Sequence, residues 1–252
     1  MVKRIDSVKN PQVKMWKKLH TKKERDKTGL FLIEGYHLVE EALRTKQVVK
    51  ELIVSENVDI PSAWNVDNVS ITIVSDEIMK MISDTETPQG IAALCYQQHN
   101  ELPADAQKVL LLDSIQDPGN LGTIIRTADA AGVQLVVVGT GSVDLYNSKV
   151  IRSTQGAIFH LPITKGNLQD IIPVLKEQGV PIYGTSLENG RPYTEVPPVG
   201  SFVLLVGNEG NGVEEQLLAQ TNENLYIPIY GKSESLNVAV ATGILLYYLR
   251  GM

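Results

Sequence analysis

The sequence predicts an α/β protein in two parts: a mostly parallel sheet covered by helices over residues 108–252, and a smaller α/β module ahead of it. Three observations predict this. From Lys108 onward, apolar runs of strand length (VLLLD, LVVVG, FVLLVG) alternate with helical segments, the pattern of strands buried on both faces. Residues 98–107 are polar, contain Pro103 and have no periodicity, so they read as a linker. The 252 residues, 43% hydrophobic and 21% charged, suffice for two modest domains of roughly 100–150 residues each.

The first part, residues 1–97, opens on a basic segment. Residues 1–28 hold ten Lys or Arg against three acids, a local +7 in a chain of net charge −6, which leaves −13 on the remainder. Phosphate responds to local charge, so Lys17, Lys18, Lys22, Lys23 and Arg25 are candidate nucleic-acid ligands. A solvated basic helix is the competing reading. GLFLIEGYHLVEEALRTK then reads as a strand near 31–33 and an amphipathic helix with Leu38, Ala42 and Leu43 on one face. KELIVSE and SITIVSD are two further strands, and TPQGIAALCYQ adds a turn and a closing strand. Cys95 is the single cysteine and cannot form an internal bridge, which fits a reducing compartment. The N-terminus has no apolar signal core, and no apolar run reaches the roughly 18 residues of a membrane span. A cytoplasmic location without membrane contact is expected.

In the second part the strand-like runs continue at 160–163, PIYGTS and LYIPIY. Helices are expected across SKVIRSTQGAIF, near 167–178, from Val213 and from Asn237. Ligands of such sheets sit beyond the carboxyl ends of the strands. Three loops there combine glycine with polar side chains. In DSIQDPGNLGTIIRTADAAG, Asn120 reads as the N-cap of a helix burying Leu121, Ile124, Ile125 and Ala128, with Arg126 on the opposite side. FVLLVGNEGNGV places Gly207, Glu209, Gly210 and Gly212 after a strand, in a spacing that is neither a dinucleotide fingerprint nor a P-loop. In LYIPIYGKSESLNVAVATGILLYYLR, Pro228 marks an edge, an end or a kink of its strand. Ser235 or Asn237 caps a final helix that is apolar almost all round and too short to span a membrane.

Taken together, NLGTIIRTADAAG, VGNEGNGV and IPIYGKSESLNVAVA resemble the three ordered motifs of the SpoU (TrmH) family of RNA ribose 2′-O-methyltransferases. LFLIEGYHLVEEAL and TPQGIAAL similarly resemble that family's appended substrate-binding domain, which is like ribosomal protein L30e. The resemblance implies a C-terminal α/β-knot (SPOUT) fold, its last loops threaded into a trefoil around S-adenosylmethionine, and a homodimer formed through the final helix with Leu245, Leu246 and Leu249. By the same resemblance, Gly207, Ile227 and Leu236, with Gly212 beside them, contact the cofactor. Arg126 is the catalytic residue with Asn120 beside it, and Glu209, Ser235 and Asn237 organise the loops and the substrate pocket.

The chemistry demands that a ribose hydroxyl lose its proton as it attacks a sulfonium methyl in line. A guanidinium is normally protonated, so Arg126 is expected to hold a neighbouring phosphate and stabilise the transition state rather than act as base. No metal is needed and no ligand cluster is visible; His20, His37, His99 and His160 are scattered and read as structural. The expected substrate is structured RNA, 23S ribosomal RNA first and transfer RNA second. A catalytically inactive RNA-binding protein of the same fold is opposed by the joint presence of Arg126, Glu209, Ser235 and Asn237. A nucleotide-dependent oxidoreductase is opposed by the missing GxGxxG.

Overall fold

A computed structural model describes residues 2–98, 100–103 and 105–251. The chain forms two compact units: 1–98 together with 146–159, and 99–145 together with 160–252. His99 lies outside the described residues.

In the first unit the order is β1 (Val2–Ile5), α1 (Pro11–Lys18), α2 (Lys22–Thr28), β2 (Leu30–Glu34), α3 (Tyr36–Arg44), β3 (Val49–Ser55), β4 (Ser70–Val74), α4 (Asp76–Ile82) and β5 (Ile91–Tyr96). These strands make one sheet in the order β1-β4-β3-β5-β2, parallel from β1 to β3 and antiparallel around β5. Val13, Trp16 and Leu19 of the α1 region pack with Ile78, Met79 and Ile82 of α4 over Ile53, Ala92 and Leu94. The basic N-terminal segment is therefore not one solvated helix. Its first residues join the sheet as β1, and α1 and α2 follow, because the alternation of Val2 to Ile5 is short and half polar yet pairs in register with β4. On α3 the buried face is Leu38, Val39 and Ala42, with Leu43 half-buried.

In the second unit the strands are β6 (Lys108–Leu112), β7 (Leu135–Gly139), β8 (Ile163–Gly166), β9 (Ile182–Thr185), β10 (Arg191–Pro192), β11 (Phe202–Val206) and β12 (Glu223–Tyr226). They form a parallel sheet in the order β10-β12-β9-β11-β6-β7-β8. The helices are α5 (Pro118–Ala130), α6 (Ser148–Thr154), α7 (Leu168–Glu177), α8 (Glu215–Leu218) and α9 (Val238–Arg250), of which α6 belongs to the first unit by its contacts. Within that unit Tyr146 packs tilted against Phe31, with 4.5 Å between ring centroids, and Arg152 pairs with Asp84. β6, β7 and β11 are buried along nearly their whole length, as continuous apolar runs require in a sheet covered on both faces.

Four local expectations shift for identifiable reasons. The strand expected at 160–163 begins at Ile163, because Pro162 has no N–H and only its carbonyl joins the ladder, accepting from Val136. The helix expected across 148–159 ends at Thr154. Gln155 and Gly156 turn left-handed there (φ 50° and 95°), and a 3-10 turn follows. β12 stops at Tyr226, two residues before Pro228. The cap of α5 is Asp117 rather than Asn120: Pro118 occupies the first helical position and Asp117 Oδ1 accepts from Asn120 N at 2.9 Å.

Candidate active site

Strand order decides which loops meet. β11 lies between β6 and β9, and β12 lies beyond β9, so the loops after β6, β11, β9 and β12 emerge side by side at one end of the sheet. The loop after β11 is closed on itself. Asn208 and Gly212 exchange backbone hydrogen bonds at 2.9 Å, while Asn208 Oδ1 accepts from Gly210 N and Asn211 N. Gly212 takes φ 72°, open to glycine at little cost. Its N–H and C=O both bond to Asn208, so it turns the chain where the loop closes. A Cβ on Gly207 would lie 2.2 Å from Gly212 C and Val213 N. Gly207→Ala is therefore expected to displace the loop and destabilise the unit by about 1–3 kcal/mol, read as a lowered urea midpoint. A midpoint equal to wild type would show that the loop has room.

Closed this way, the loop aims Glu209 at its neighbour. The carboxylate accepts from Gln116 N, Asp117 N and Asn120 Nδ2, each at 3.1 Å. Asn120 Oδ1 in turn accepts from Asn237 Nδ2 at 2.9 Å, and Asn237 Oδ1 caps α9 through Ala239 N and Val240 N. One continuous chain, Glu209–Asn120–Asn237, ties the loops after β11, β6 and β12 together. Because Asp117 supplies the α5 cap, the Asn120 amide is free to bridge. Partial burial disfavours the charged form of Glu209, but the hydrogen bonds from Asn120, Gln116 and Asp117 outweigh it and hold the carboxyl below its ordinary value.

The other expected residues fall as follows. Arg126 is exposed on α5, with no hydrogen bond or ion pair among the described residues, while Leu121, Ile124, Ile125 and Ala128 on the far face carry the packing. Ser235 is exposed in the loop before α9 and outside the hydrogen-bond chain, since Asn237 holds the cap position. Ile227 is half-buried and Leu236 exposed; they bound a segment, 227–236, whose backbone makes no hydrogen bond among the described residues. Its N–H and C=O groups are thus available to a ligand.

Two expectations need correction. Arg25 is 4% exposed and its guanidinium donates to Leu19 O at 2.7 Å, so it braces the α1–α2 turn and faces no solvent. Lys17, Lys18, Lys22 and Lys23 are exposed as expected. Leu245, Leu246 and Leu249 are buried within the chain where α9 packs against α5 and β11, so they cannot also make a subunit contact. Among the apolar positions that α9 leaves outside are Val240 (53% exposed), Tyr247 (52%) and half-buried Ile244.

Sequence reading overlooked Asp113 and Asn208. Asp113 is buried at the end of β6 and accepts from Glu214 N at 2.9 Å and Ser114 Oγ at 3.0 Å, seating the start of α8. Asn208 also donates to Ser114 O at 2.8 Å. An acid ending an otherwise apolar strand was the available signal for Asp113. Asn208 gave none, since an Asn in a glycine loop is ordinary. His20 contacts Ile82 O and His37 contacts Gln155 O, both structural positions, and His160 stands 3.4 Å from Asp129. Cys95 is buried, which pushes its thiol pKa up. Among the described residues no cluster of three or more His, Cys, Asp or Glu is arranged to hold a metal ion, and no helix is long and apolar enough to cross a membrane.

Comparison with known proteins adds to this geometry. Residues 107–247 match the SpoU rRNA Methylase family, and residues 10–93 match the MRM3-like substrate binding domain. The 23S rRNA (guanosine(2553)-2′-O)-methyltransferase RlmP of Bacillus subtilis (strain 168) is 54% identical over 250 residues, covering 99% of this chain and 100% of that protein. The uncharacterized tRNA/rRNA methyltransferase slr1673 of Synechocystis sp. is 32% identical, covering 98% and 93%. Among solved structures, the AdoMet-bound rRNA methyltransferase from Sinorhizobium meliloti superposes with a TM-score of 0.90 at 33% identity, covering 99% of this chain and 97% of that one.

Proposed function

The chain belongs to the SpoU rRNA methylase family, and from that membership we propose that its substrate is 23S ribosomal RNA, with the guanosine corresponding to the one in the B. subtilis relative's name as its target. It is an S-adenosylmethionine-dependent RNA ribose 2′-O-methyltransferase with an α/β-knot catalytic domain. The observation that carries the choice of RNA is 54% identity sustained over nearly the full length, through both parts of the chain. Mapping 2′-O-methyl groups in ribosomal and transfer RNA from cells with and without the protein tests it. Loss of one 23S guanosine mark is the expected result, and a loss confined to transfer RNA would overturn it.

The residues present fit the cofactor. Adenine is matched by in-plane backbone donors and acceptors, and the 227–236 segment carries such groups with no hydrogen-bond partner among the described residues, at the same end of the sheet as the tight Gly207 turn. Gly207, Ile227 and Leu236 would hold it. When bound, S-adenosylmethionine supplies an electrophilic methyl on its sulfonium sulfur. Glu209, Asn120 and Asn237 keep the three loops in one arrangement, so that the pocket is preorganised rather than assembled at the moment of reaction. Ser235 lines the approach to that pocket. Arg126 binds the phosphate next to the reacting ribose and stabilises charge on the 2′-oxygen as its proton leaves.

Residues 1–97 form the RNA-holding domain of this proposal, 98–107 the linker and 108–252 the methyl-transferring domain. Lys17, Lys18, Lys22 and Lys23 are its phosphate ligands, supported by their exposure and by the absence of acid partners among the described residues. Lys3 and Arg4 are instead paired with Glu51 and Glu56. Replacing the four lysines by Gln should reduce the salt dependence of RNA affinity by about four phosphate contacts; an unchanged slope in a salt titration would return them to plain solvation. A cytoplasmic homodimer completes the proposal, its contact placed on Val240, Ile244 and Tyr247 of α9. A single-chain mass in sedimentation velocity would reject the dimer.

A further inference from the structure

Lys50 is the extra residue of a β-bulge. Along β3 and β5 the register pairs Ile53 with Ala92 and Glu51 with Leu94, and a regular ladder would next set Val49 opposite Tyr96. The register shifts instead, so that Val49 pairs with Cys95, and Lys50 is left without a cross-strand partner. Bulges re-aim side chains at the margins of sheets. Here the consequence is specific: Lys50 Nζ sits 5.5 Å from the centroid of the Tyr96 ring, where a regular strand would have placed a valine.

Both residues are exposed, Tyr96 to 44%. The turn that leads into β3 is also held. Gln47 is left-handed (φ 61°), and Val48 O accepts from Tyr96 N at 2.9 Å, which brings exposed Lys46 to the same end of the sheet. Gln97 N donates to Gly29 O at 2.8 Å, adding the end of α2 with exposed Lys27. Neither Lys46 nor Lys50 has an acid partner among the described residues, and Lys27 reaches Glu24 only at 3.9 Å. An exposed aromatic ring with a cation beside it and further exposed lysines at the same end of the sheet is a composition that unpaired nucleotides use: the base stacks on the ring and the lysines meet the flanking phosphates.

We propose that Tyr96, with Lys50 and Lys46, forms an RNA-binding site in which an unstacked base of the substrate lies on the tyrosine ring and the two lysines neutralise adjacent phosphates. The proposal rests on the reading that the substrate is structured RNA and adds a contact separate from the lysines of α1 and α2. The full chain is tested with a fluorescent transcript of the 23S region that wild type methylates, by anisotropy at several salt concentrations. Tyr96→Ala should weaken binding by about tenfold and Tyr96→Phe should leave it near wild type. Lys50→Gln and Lys46→Gln should each lower the salt slope by about one contact. S-adenosylmethionine affinity and the melting temperature of Lys50→Gln and Lys46→Gln should not change. Wild-type affinity in Tyr96→Ala with unchanged slopes in both lysine variants would overturn the site, and so would equal losses in Tyr96→Phe and Tyr96→Ala. Methylation of a transfer RNA but of no 23S transcript by wild type would instead overturn the choice of RNA, and the same variants measured on that transfer RNA would still decide the site.

Discussion

Arg126→Ala is expected to lower kcat by on the order of 10²–10³-fold, the scale seen when one preorganised donor to a developing negative charge is removed. Affinity for S-adenosylmethionine should stay within about twofold and thermal stability should not fall, because alanine is the better helix former. The placement of Arg126 makes this split sharp. Its side of α5 is exposed and its guanidinium has no intrachain partner among the described residues, while the opposite side carries the burial. Truncation therefore removes the proposed phosphate ligand and no hydrogen bond or ion pair among the described residues. Arg126→Lys should recover only part of the rate, since an ammonium keeps the charge without the two-pronged geometry for a phosphate. Single-turnover kinetics alongside equilibrium cofactor binding measures both quantities. A collapse of cofactor affinity in Arg126→Ala would assign the residue to the cofactor pocket instead.

Glu209→Ala should reduce kcat/KM by on the order of 10²-fold through a different route. Its carboxylate is the common acceptor for Gln116, Asp117 and Asn120, and among the described residues Asn120 is the hydrogen-bonded link from that group to Asn237 at the start of α9. Each hydrogen bond contributes about 1 kcal/mol net, so losing the acceptor loosens three loops at once and both cofactor affinity and rate should fall. Glu209→Gln keeps one acceptor oxygen and should recover part of the loss. The pH dependence follows from the sign of the shift. Burial works against the charge, yet the hydrogen bonds hold the folded-state pKa below that of an unfolded glutamate, about 4.3. The stabilisation is accordingly complete above that value and is lost as pH falls through the lower folded-state value. Urea midpoints of wild type and Glu209→Gln between neutral pH and pH 3 should converge toward the acid end. A gap that stays constant over the whole range would mean that the carboxylate charge contributes nothing.

The two predictions differ in how far each residue could be read in advance. Arg126 needed only helical periodicity, which sets it opposite Leu121, Ile124, Ile125 and Ala128 wherever α5 packs. Glu209 stood out as an acid among glycines, but its partners lie 89 to 93 residues away in the chain. No local pattern encodes that distance. It follows from β11 pairing in parallel with β6. Ser235 illustrates the opposite case: the family resemblance grouped it with Glu209 and Asn237, and the hydrogen-bond chain runs through Asn120.

By itself the sequence determined the strand and helix periods, the buried runs of β6, β7 and β11, the positions of the three loops at carboxyl strand ends, and the exposure of Lys17, Lys18, Lys22 and Lys23. Each of these depends on residues within a few positions of one another, where burial of one face imposes a period of 2 or 3.6. Only the tertiary structure decided that Arg25 turns inward to Leu19 O, that Leu245, Leu246 and Leu249 are covered by the chain itself, that Asp117 takes the cap and frees Asn120, and that a one-residue bulge swings Lys50 over Tyr96. In every one of these the deciding neighbour comes from the packing of another turn, helix or strand, or from competition for a single cap position. A charge count or an apolar pattern states what a residue can do, and the neighbour that packing supplies selects which of those it does.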